Sequence, residues 1–410
     1  MLAPPPRHLG HAAIAHTAPP RELVLILTGR CNAACSYCFE AGRPEHGDLP
    51  WDAARRAIDV LLALRPREAL LAFTGGEPLL AVGLLRRCIR HARRCVGPGT
   101  SLTFAVTTNG TVLPRETARF LAEHDVALTV SFDGSGQELR APGTRHRIEG
   151  VLQRLARSAP EWFRRQVRVT LTLTPDNLPL LAESVAAILA QGVPEITVAP
   201  AAGPRWPPGP EIESELDRQL ARIVTLVPAA HSGEREHPVT LLREPATREL
   251  PSDGMLWCSA GSPDGFAVAP DGTAWGCPWW AKSLQRLPAA AEPVAEALFL
   301  GDVRDPGFED RLAALPTRAA GIRVLTHRRS KRSSLAECGS CPLLSLCPAC
   351  PAGTVREPGN TDPDLVPAAV CALTRASARA RAALPRSLPS ILRELAELSD
   401  RLSTLAARRA

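Results

Sequence analysis

Three cysteines in the stretch "GRCNAACSYCFE", residues 29–40, are the residues of this chain whose spacing points most directly to chemistry. Cys31, Cys35 and Cys38 lie within eight residues of one another. A structural zinc site needs a fourth ligand, and His46 is the only close one in the sequence. A cubane iron-sulfur cluster takes one thiolate per iron, so three cysteines would leave one iron open to a substrate or cofactor. The spacing therefore favours a cluster.

The segment from residue 23 to about 200 must position these cysteines. It alternates short apolar runs with amphipathic stretches, the pattern of βα units around a parallel sheet. Helical patterns cover 51–64 and 178–192, and the second is expected to end at Gly192. Six such units form either a doubly wound sheet or an incomplete barrel, and both bind ligands at the carboxyl ends of their strands. The strands are expected to begin at Leu23, Ala69, Leu102, Ala127, Val167 and Glu195.

Polar, glycine-rich groups follow the first four of these strands. Cys31 comes after the first, "TGGEP" (74–78) after the second, "TTNG" (107–110) after the third and "SFDG" (131–134) after the fourth. Because parallel strands end at the same edge of a sheet, we expect these groups to share one face. That face is the predicted active site.

The arrangement Cys-x3-Cys-x2-Cys directly after a strand resembles the radical S-adenosylmethionine (SAM) family, and Tyr37 matches an aromatic residue usual in that family. The resemblance implies an α/β fold with a partial (β/α)6 TIM-like barrel. It also implies that the "GGEP" residues hold the amino end of the SAM methionine, and that polar residues after the third and fourth strands contact the rest of SAM. Arg140 is assigned to the SAM carboxylate, with Arg145 and Arg147 as alternatives. The residues so assigned to SAM are Tyr37, Gly75, Gly76, Glu77, Pro78, Thr108, Asn109, Ser131, Asp133 and Arg140.

A second cysteine group resembles the SPASM domain, a C-terminal extension with two auxiliary iron-sulfur clusters. Cys258, Gly272 and Cys277 fit its opening, and the run Cys338-x2-Cys341-x5-Cys347-x2-Cys350 precedes Cys371. The family usually has three residues between the third and fourth cysteines of this run, whereas this chain has two between Cys347 and Cys350. The resemblance implies one cluster on Cys338, Cys341, Cys347 and Cys371, and another on Cys258, Cys277 and Cys350 with one position open. A pair of zinc ribbons is the alternative.

The activity implied is reductive cleavage of SAM to a 5′-deoxyadenosyl radical that removes a hydrogen atom from a substrate. We expect three [4Fe-4S] clusters and oxidative modification, in particular crosslinking, of side chains in a ribosomally synthesised peptide. An anaerobic sulfatase-maturating enzyme is the alternative, but Pro278 stands after Cys277 where an acidic residue would be expected. A non-catalytic zinc-binding protein is the alternative from another class.

The expected partners are a precursor peptide and a reductant such as ferredoxin or flavodoxin. Some twenty residues precede the first strand, so a leader peptide would be recognised by the C-terminal half or by a separate protein. The net charge of +6 and the short basic run "HRRSKR" (327–332) do not predict nucleic-acid binding. That run is interpreted as a solvated loop, or as a binding site for an acidic peptide. No segment has the length of a signal peptide or membrane span, which predicts a cytoplasmic protein.

The predicted organisation has five parts. They are a Pro-rich tail (1–20), the barrel (21–205), a linker with a helix (206–250), the SPASM domain (251–375) and a C-terminal amphipathic helix (386–408). In that last helix Leu388, Leu395 and Leu402 recur every seven residues, which predicts docking on its own domain rather than a dimer.

Overall fold

The computed structural model describes residues 20–38, 47–227, 237–243, 254–262, 264–282, 287–360, 362 and 364–384. The predicted C-terminal helix, residue His46 and all but the last residue of the predicted tail lie outside this part of the chain. Of the helices in the described part, none combines the length and the apolar character needed to cross a bilayer.

Six parallel strands form the barrel wall in the order β6-β5-β4-β3-β2-β1. A doubly wound sheet would reverse its strand order at a switch point, whereas this order follows the chain. The predicted α/β fold with a partial TIM-like barrel is therefore confirmed. The strands are β1 (Glu22–Ile26), β2 (Glu68–Thr74), β3 (Ser101–Thr108), β4 (Ala127–Ser131), β5 (Val167–Leu173) and β6 (Ile196–Pro200).

Amphipathic helices cover the outside of this sheet. The first spans Trp51–Ala63 and buries Ala53, Ala57 and Leu61, which recur every four residues on one face. The helix predicted over 178–192 is shorter: a 3-10 turn precedes it, and the chain turns at Gly192 with φ 75°. The helices of this half are α1 (Trp51–Ala63), α2 (Val82–Cys95), α3 (Arg115–Glu123), α4 (Gln137–Arg140), α5 (Arg145–Ser158), α6 (Pro160–Gln166), α7 (Leu181–Leu189) and α8 (Gly209–Leu226).

The C-terminal half continues the barrel sheet, which the sequence did not predict. Strand β7 (Gly265–Val268) pairs in parallel with β1, and β8 (Thr273–Trp275) and β9 (Phe299–Asp302) add antiparallel strands. A Cβ at Gly265 would lie 2.6 Å from the carbonyl oxygen of Glu22, so glycine permits this close pairing. The sheet thus crosses the predicted domain boundary.

Short helices and one long one complete the C-terminal half. The long one, α14, packs along α8 of the barrel, and Arg375 and Arg379 on α14 pair with Glu213 and Asp217 on α8. The helices are α9 (Glu292–Leu298), α10 (Phe308–Ala313), α11 (Leu315–Ala320), α12 (Arg323–Thr326), α13 (Pro351–Thr354) and α14 (Ala368–Ala382).

Candidate active site

The cysteine loop after β1 meets the loop after β3, as expected from their shared sheet edge. The Nδ2 of Asn109 donates to Oδ1 of Asn32 at 2.8 Å and lies 3.9 Å from the sulfur of Cys31. Within the cysteine loop, the amide of Cys38 donates to the carbonyl of Cys35 at 3.1 Å. Asn109, predicted to contact SAM, therefore stands beside the first cysteine.

Glu77 of the "GGEP" segment connects the loops at this edge of the sheet through its carboxylate. Its side chain is fully buried, and its carboxylate accepts hydrogen bonds from the hydroxyl of Thr108 (2.7 Å) and the amides of Asn109 (2.7 Å) and Leu79 (3.0 Å). Burial raises the pKa of Glu77, and these three donors act in the opposite direction. The carboxylate thus fixes the loop after β3 to the loop after β2.

Gly75 in the same segment has a structural requirement for glycine. Its φ is 147°, and a Cβ there would lie 2.5 Å from the carbonyl oxygen of Thr28. The next amide, that of Gly76, donates to that carbonyl at 3.0 Å. The two glycines therefore bring the backbone of the second loop against the end of β1, directly before the cysteines.

Tyr37, Asp133 and Arg140 form one buried network next to Cys35. The Tyr37 hydroxyl donates to Oδ2 of Asp133 (3.2 Å), and the Nε of Arg140 lies 3.3 Å from the sulfur of Cys35. Asp133 also accepts from the amide of Thr172 (2.8 Å) and lies 3.5 Å from Nη1 of Arg140. Burial raises the pKa of both Tyr37 and Asp133.

This network separates the three arginines considered for the SAM carboxylate. Arg140 stands at the cysteine loop, whereas Arg145 pairs with Glu149 one turn along α5 (2.9 Å) and Arg147 is exposed. Both carboxylate oxygens of the fully buried Asp133 are used within the protein. Its contact with SAM, and that of the half-buried Ser131, stay predictions.

The later cysteines lie in two groups. The first surrounds a small cavity, and Ser333 donates to one of its sulfurs, that of Cys371, at 3.1 Å. Its members are Cys338, Cys341, Cys347 and Cys371. The second group consists of Cys258, Cys277 and Cys350: burial, and then the neighbouring Cys350 thiol, raise the pKa of Cys258 to about 12, and the pKa of Cys277 is raised for the same reasons.

The spacing of the sulfurs tests whether a single ion or a larger cluster fits. Four thiolates on one zinc ion lie about 3.8 Å apart, because each zinc-sulfur bond is about 2.3 Å. Among the described residues, Asp59, His91 and Cys95 are the only three metal-ligating groups of the His, Cys, Asp and Glu types whose ligand atoms all lie within 4.8 Å. In the two later cysteine groups and in the loop of Cys31, no three sulfurs therefore lie close enough together to bind one zinc ion. Thiolates that each bind a different iron stand farther apart, and groups made only of cysteines offer the ligand type that iron-sulfur clusters use.

A cavity of about 680 Å³ opens between the ends of β5 and β6 and helix α14. Tyr37 of the first cysteine loop and Cys350 of the second cysteine group both line it. Most of its wall is apolar or threonine, with Trp206 and Trp279 as its large aromatic residues, and Glu357 is the one carboxylic acid among the described lining residues. Burial raises the pKa of Glu357. The cavity thus runs from the predicted SAM site to a predicted auxiliary site.

Residues 25–177 match the sequence profile of the Radical SAM superfamily. These residues form a radical SAM domain. The prediction of a radical SAM domain is thereby confirmed. An uncharacterized protein of Methanocaldococcus jannaschii is 30% identical to this chain over 184 residues, which cover 43% of this chain and 61% of the relative. The chain thus spans less than two thirds of that relative's length.

Solved structures resemble most of this chain in fold. Native anSMEcpe with bound AdoMet is 16% identical at a TM-score of 0.66, covering 93% of this chain and 100% of the other. SuiB of Streptococcus suis bound to its precursor peptide SuiA is 16% identical at a TM-score of 0.54, covering 86% of this chain and 76% of the other. At these identities the likeness concerns the fold, and it extends beyond the radical SAM domain into the C-terminal half.

The sequence did not reveal several residues of this site. Asn32, which accepts a hydrogen bond from Asn109, belongs to no motif that would mark it in the sequence. The cavity wall is formed by residues that lie far apart in the chain. The prediction of a solvated loop over the basic run 327–332 is wrong for Lys331, which is 2% exposed. A run of basic residues gives no sign in the sequence that one of its members is buried.

Proposed function

We propose that this chain is a radical SAM enzyme of the SPASM type that oxidatively modifies, in particular crosslinks, side chains of a ribosomally synthesised peptide. The observation that carries this proposal is the cavity that joins Tyr37, next to the first three cysteines, to Cys350 of the second group. A substrate held there would have a SAM site at one end and an auxiliary cluster site at the other.

The residues for these groups are present. Cys31, Cys35 and Cys38 would hold the first [4Fe-4S] cluster, and the two later cysteine groups would hold one auxiliary cluster each. When bound, cluster and SAM supply a 5′-deoxyadenosyl radical that removes a hydrogen atom from the substrate. The chain would orient SAM through the Tyr37, Asp133 and Arg140 network and through the "GGEP" loop.

The cavity also bears on the substrate. Most of its wall is apolar or threonine, with two tryptophans, and its charged residues are Arg243, Arg381 and Glu357. A mainly apolar wall with a few polar groups suits the side chains of a peptide. The fold of SuiB, which is seen with its precursor peptide, supports the same class of substrate. A ferredoxin or flavodoxin would deliver the electrons, and a leader peptide would require the C-terminal half or a separate protein.

Two measurements on anaerobically purified protein test this proposal. We expect about twelve irons per chain, four for each of three clusters, and release of 5′-deoxyadenosine from SAM after reduction. Cys35→Ala is the matched control, because it removes one ligand of the first cluster alone, and Cys95→Ala removes an exposed thiol outside all three groups. Colourless protein with two or three zinc ions would instead establish the zinc-binding alternative.

Sulfatase maturation is the second candidate, since the fold also resembles that of anSMEcpe, an anaerobic sulfatase maturase. Pro278 in place of an acidic residue after Cys277 speaks against it. Incubation with a sulfatase-derived Cys peptide and, separately, with any short peptide that proves to be encoded beside this gene distinguishes the two. Formylglycine in the first peptide would replace our proposal, whereas a mass loss of hydrogen atoms in the second would support it.

A further inference from the structure

The buried lysine of the basic run, Lys331, lies between the two later cysteine groups. Its side chain is 2% exposed although both neighbours in sequence are exposed. Its carbonyl accepts a hydrogen bond from the amide of Cys338 at 3.2 Å, which ties the lysine to the first of these groups. On its other side, the Nζ lies 5.6 Å from the ring centre of Trp257, the residue directly before Cys258.

Two further cations, Arg323 and Arg328, and one carboxylate, that of Asp364, lie around Lys331. Its Nζ lies 3.5 Å from Oδ1 of Asp364, but Asp364 also pairs with Arg323 at 3.1 Å, so one carboxylate serves two cations. Arg328 adds a third positive charge, with its guanidinium 4.7 Å from the same Trp257 ring. The exposed Arg332 pairs with Asp362 and does not alter this count.

A buried ammonium group needs nearby negative charge, because removing it from water is costly. Burial lowers the pKa of Lys331, and Asp364 together with the thiols of Cys338 and Cys258 acts in the opposite direction. The lysine is therefore within electrostatic reach of a cysteine from each group. Iron-sulfur clusters on thiolates carry net negative charge, so clusters at these cysteines would add to the attraction that Asp364 exerts on Lys331.

We propose that Lys331 is a positioning residue that acts as a shared counter-charge for both auxiliary clusters and makes each of them easier to reduce. The proposal rests on the proposed function, because it requires clusters at these cysteines. Its physical basis is that a fixed positive charge in a low-dielectric interior stabilises an added electron, and net charge and surroundings are what set cluster potentials. Easier reduction would suit clusters that accept an electron from a substrate.

The test is a redox titration of the reconstituted full-length protein followed by electron paramagnetic resonance. Lys331→Met is expected to lower the reduction potentials of both auxiliary clusters, and Lys331→Arg, which keeps the charge, to preserve them. Asp364→Asn is expected to raise them, because the positive charge is then less compensated. Lys282→Met, at the other lysine of the chain, which is exposed, is the matched control and should change nothing.

The first cluster provides an internal reference, since its signal is the one that changes when SAM is added. Its potential should stay constant in all four variants. Equal shifts of all three potentials, unchanged auxiliary potentials in Lys331→Met, or shifts of the same sign in Lys331→Met and Asp364→Asn would each overturn the proposal. If Lys331→Met fails to load iron, a potential in Asp364→Asn equal to that of the wild type overturns it as well. A wild-type protein without cluster signals would refute the proposed function first, and this proposal with it.

Discussion

Replacing Glu77 by glutamine tests whether one buried carboxylate joins the loops of the active-site edge. One oxygen of Glu77 accepts from Thr108 and Leu79, and the other accepts from the amide of Asn109 at 2.7 Å. Glutamine can retain the first oxygen, but its amide nitrogen would then face the donor of Asn109. A buried donor left without an acceptor costs about 1–3 kcal/mol. We expect the free energy of unfolding to fall by that amount.

The assay is urea denaturation of wild type and variant, together with SAM binding, because Asn109 lies beside Cys31 and would be displaced. Glu116→Gln is the matched control: its carboxylate is exposed and paired with Arg86, and such a surface change should stay within about 0.5 kcal/mol. Glu77→Gln protein with the stability and SAM affinity of this control would refute the reasoning. Thr108→Val should be destabilising as well, because it removes one donor to Glu77 and leaves the buried amide of Gly110 without the hydroxyl that accepts from it at 3.1 Å.

Two further predictions concern the loop glycine and the contact between the two halves. Gly75→Ala should give little folded protein, since its Cβ would lie 2.5 Å from a backbone carbonyl, whereas Gly83→Ala, with no atom within 4 Å, should melt at or above the wild-type temperature; equal melting of both variants would contradict this. Burial, the largest influence, would raise the pKa of Glu213, but hydrogen bonds from Arg379 and Arg375 outweigh it and the pKa is lowered. Its contribution to stability should therefore be present above its unfolded pKa and be lost as pH falls through the folded value. The stability difference between wild type and Glu213→Gln should vanish in acid, and a difference that persists at the lowest pH would contradict the assignment.

Much of the barrel was predictable because each of its strands and helices has a pattern within its own short stretch of sequence. A parallel strand buried on both faces is a short apolar run, and Leu23, Leu25 and Ile26 of β1 are all 1% exposed or less. The polar groups after the strands followed from the same rule, since strands in one parallel sheet end at one edge. For this reason Asn109 and Cys31 meet although they are far apart in sequence.

The C-terminal half was less predictable because its contacts join distant parts of the chain. Strand β7 is only four residues long, which is too short to show a pattern in the sequence. It pairs with β1, where Gly265 lies opposite Glu22, a residue far away in the sequence. The burial of Lys331 depends on Trp257 and Asp364, which lie in other segments, so a run of basic residues was interpreted as solvated. The composition of a segment predicts only the average exposure of its residues. Whether a single residue such as Lys331 is buried depends on contacts with distant segments.

The shortened spacing before Cys350 bears on where a substrate could meet the second cysteine group. Only Pro348 and Ala349 separate Cys347, which lines the small cavity, from Cys350, which is exposed and lines the large one. The chain then enters α13 at once, with the amide of Thr354 donating to the carbonyl of Cys350 at 2.9 Å. Two residues are thus enough to carry the chain from one group to the other. Cys350 is the member of its group that lines the large cavity, where Tyr37 of the first cysteine loop also lies. Under the proposed function, a substrate in that cavity would therefore meet the second cysteine group at Cys350.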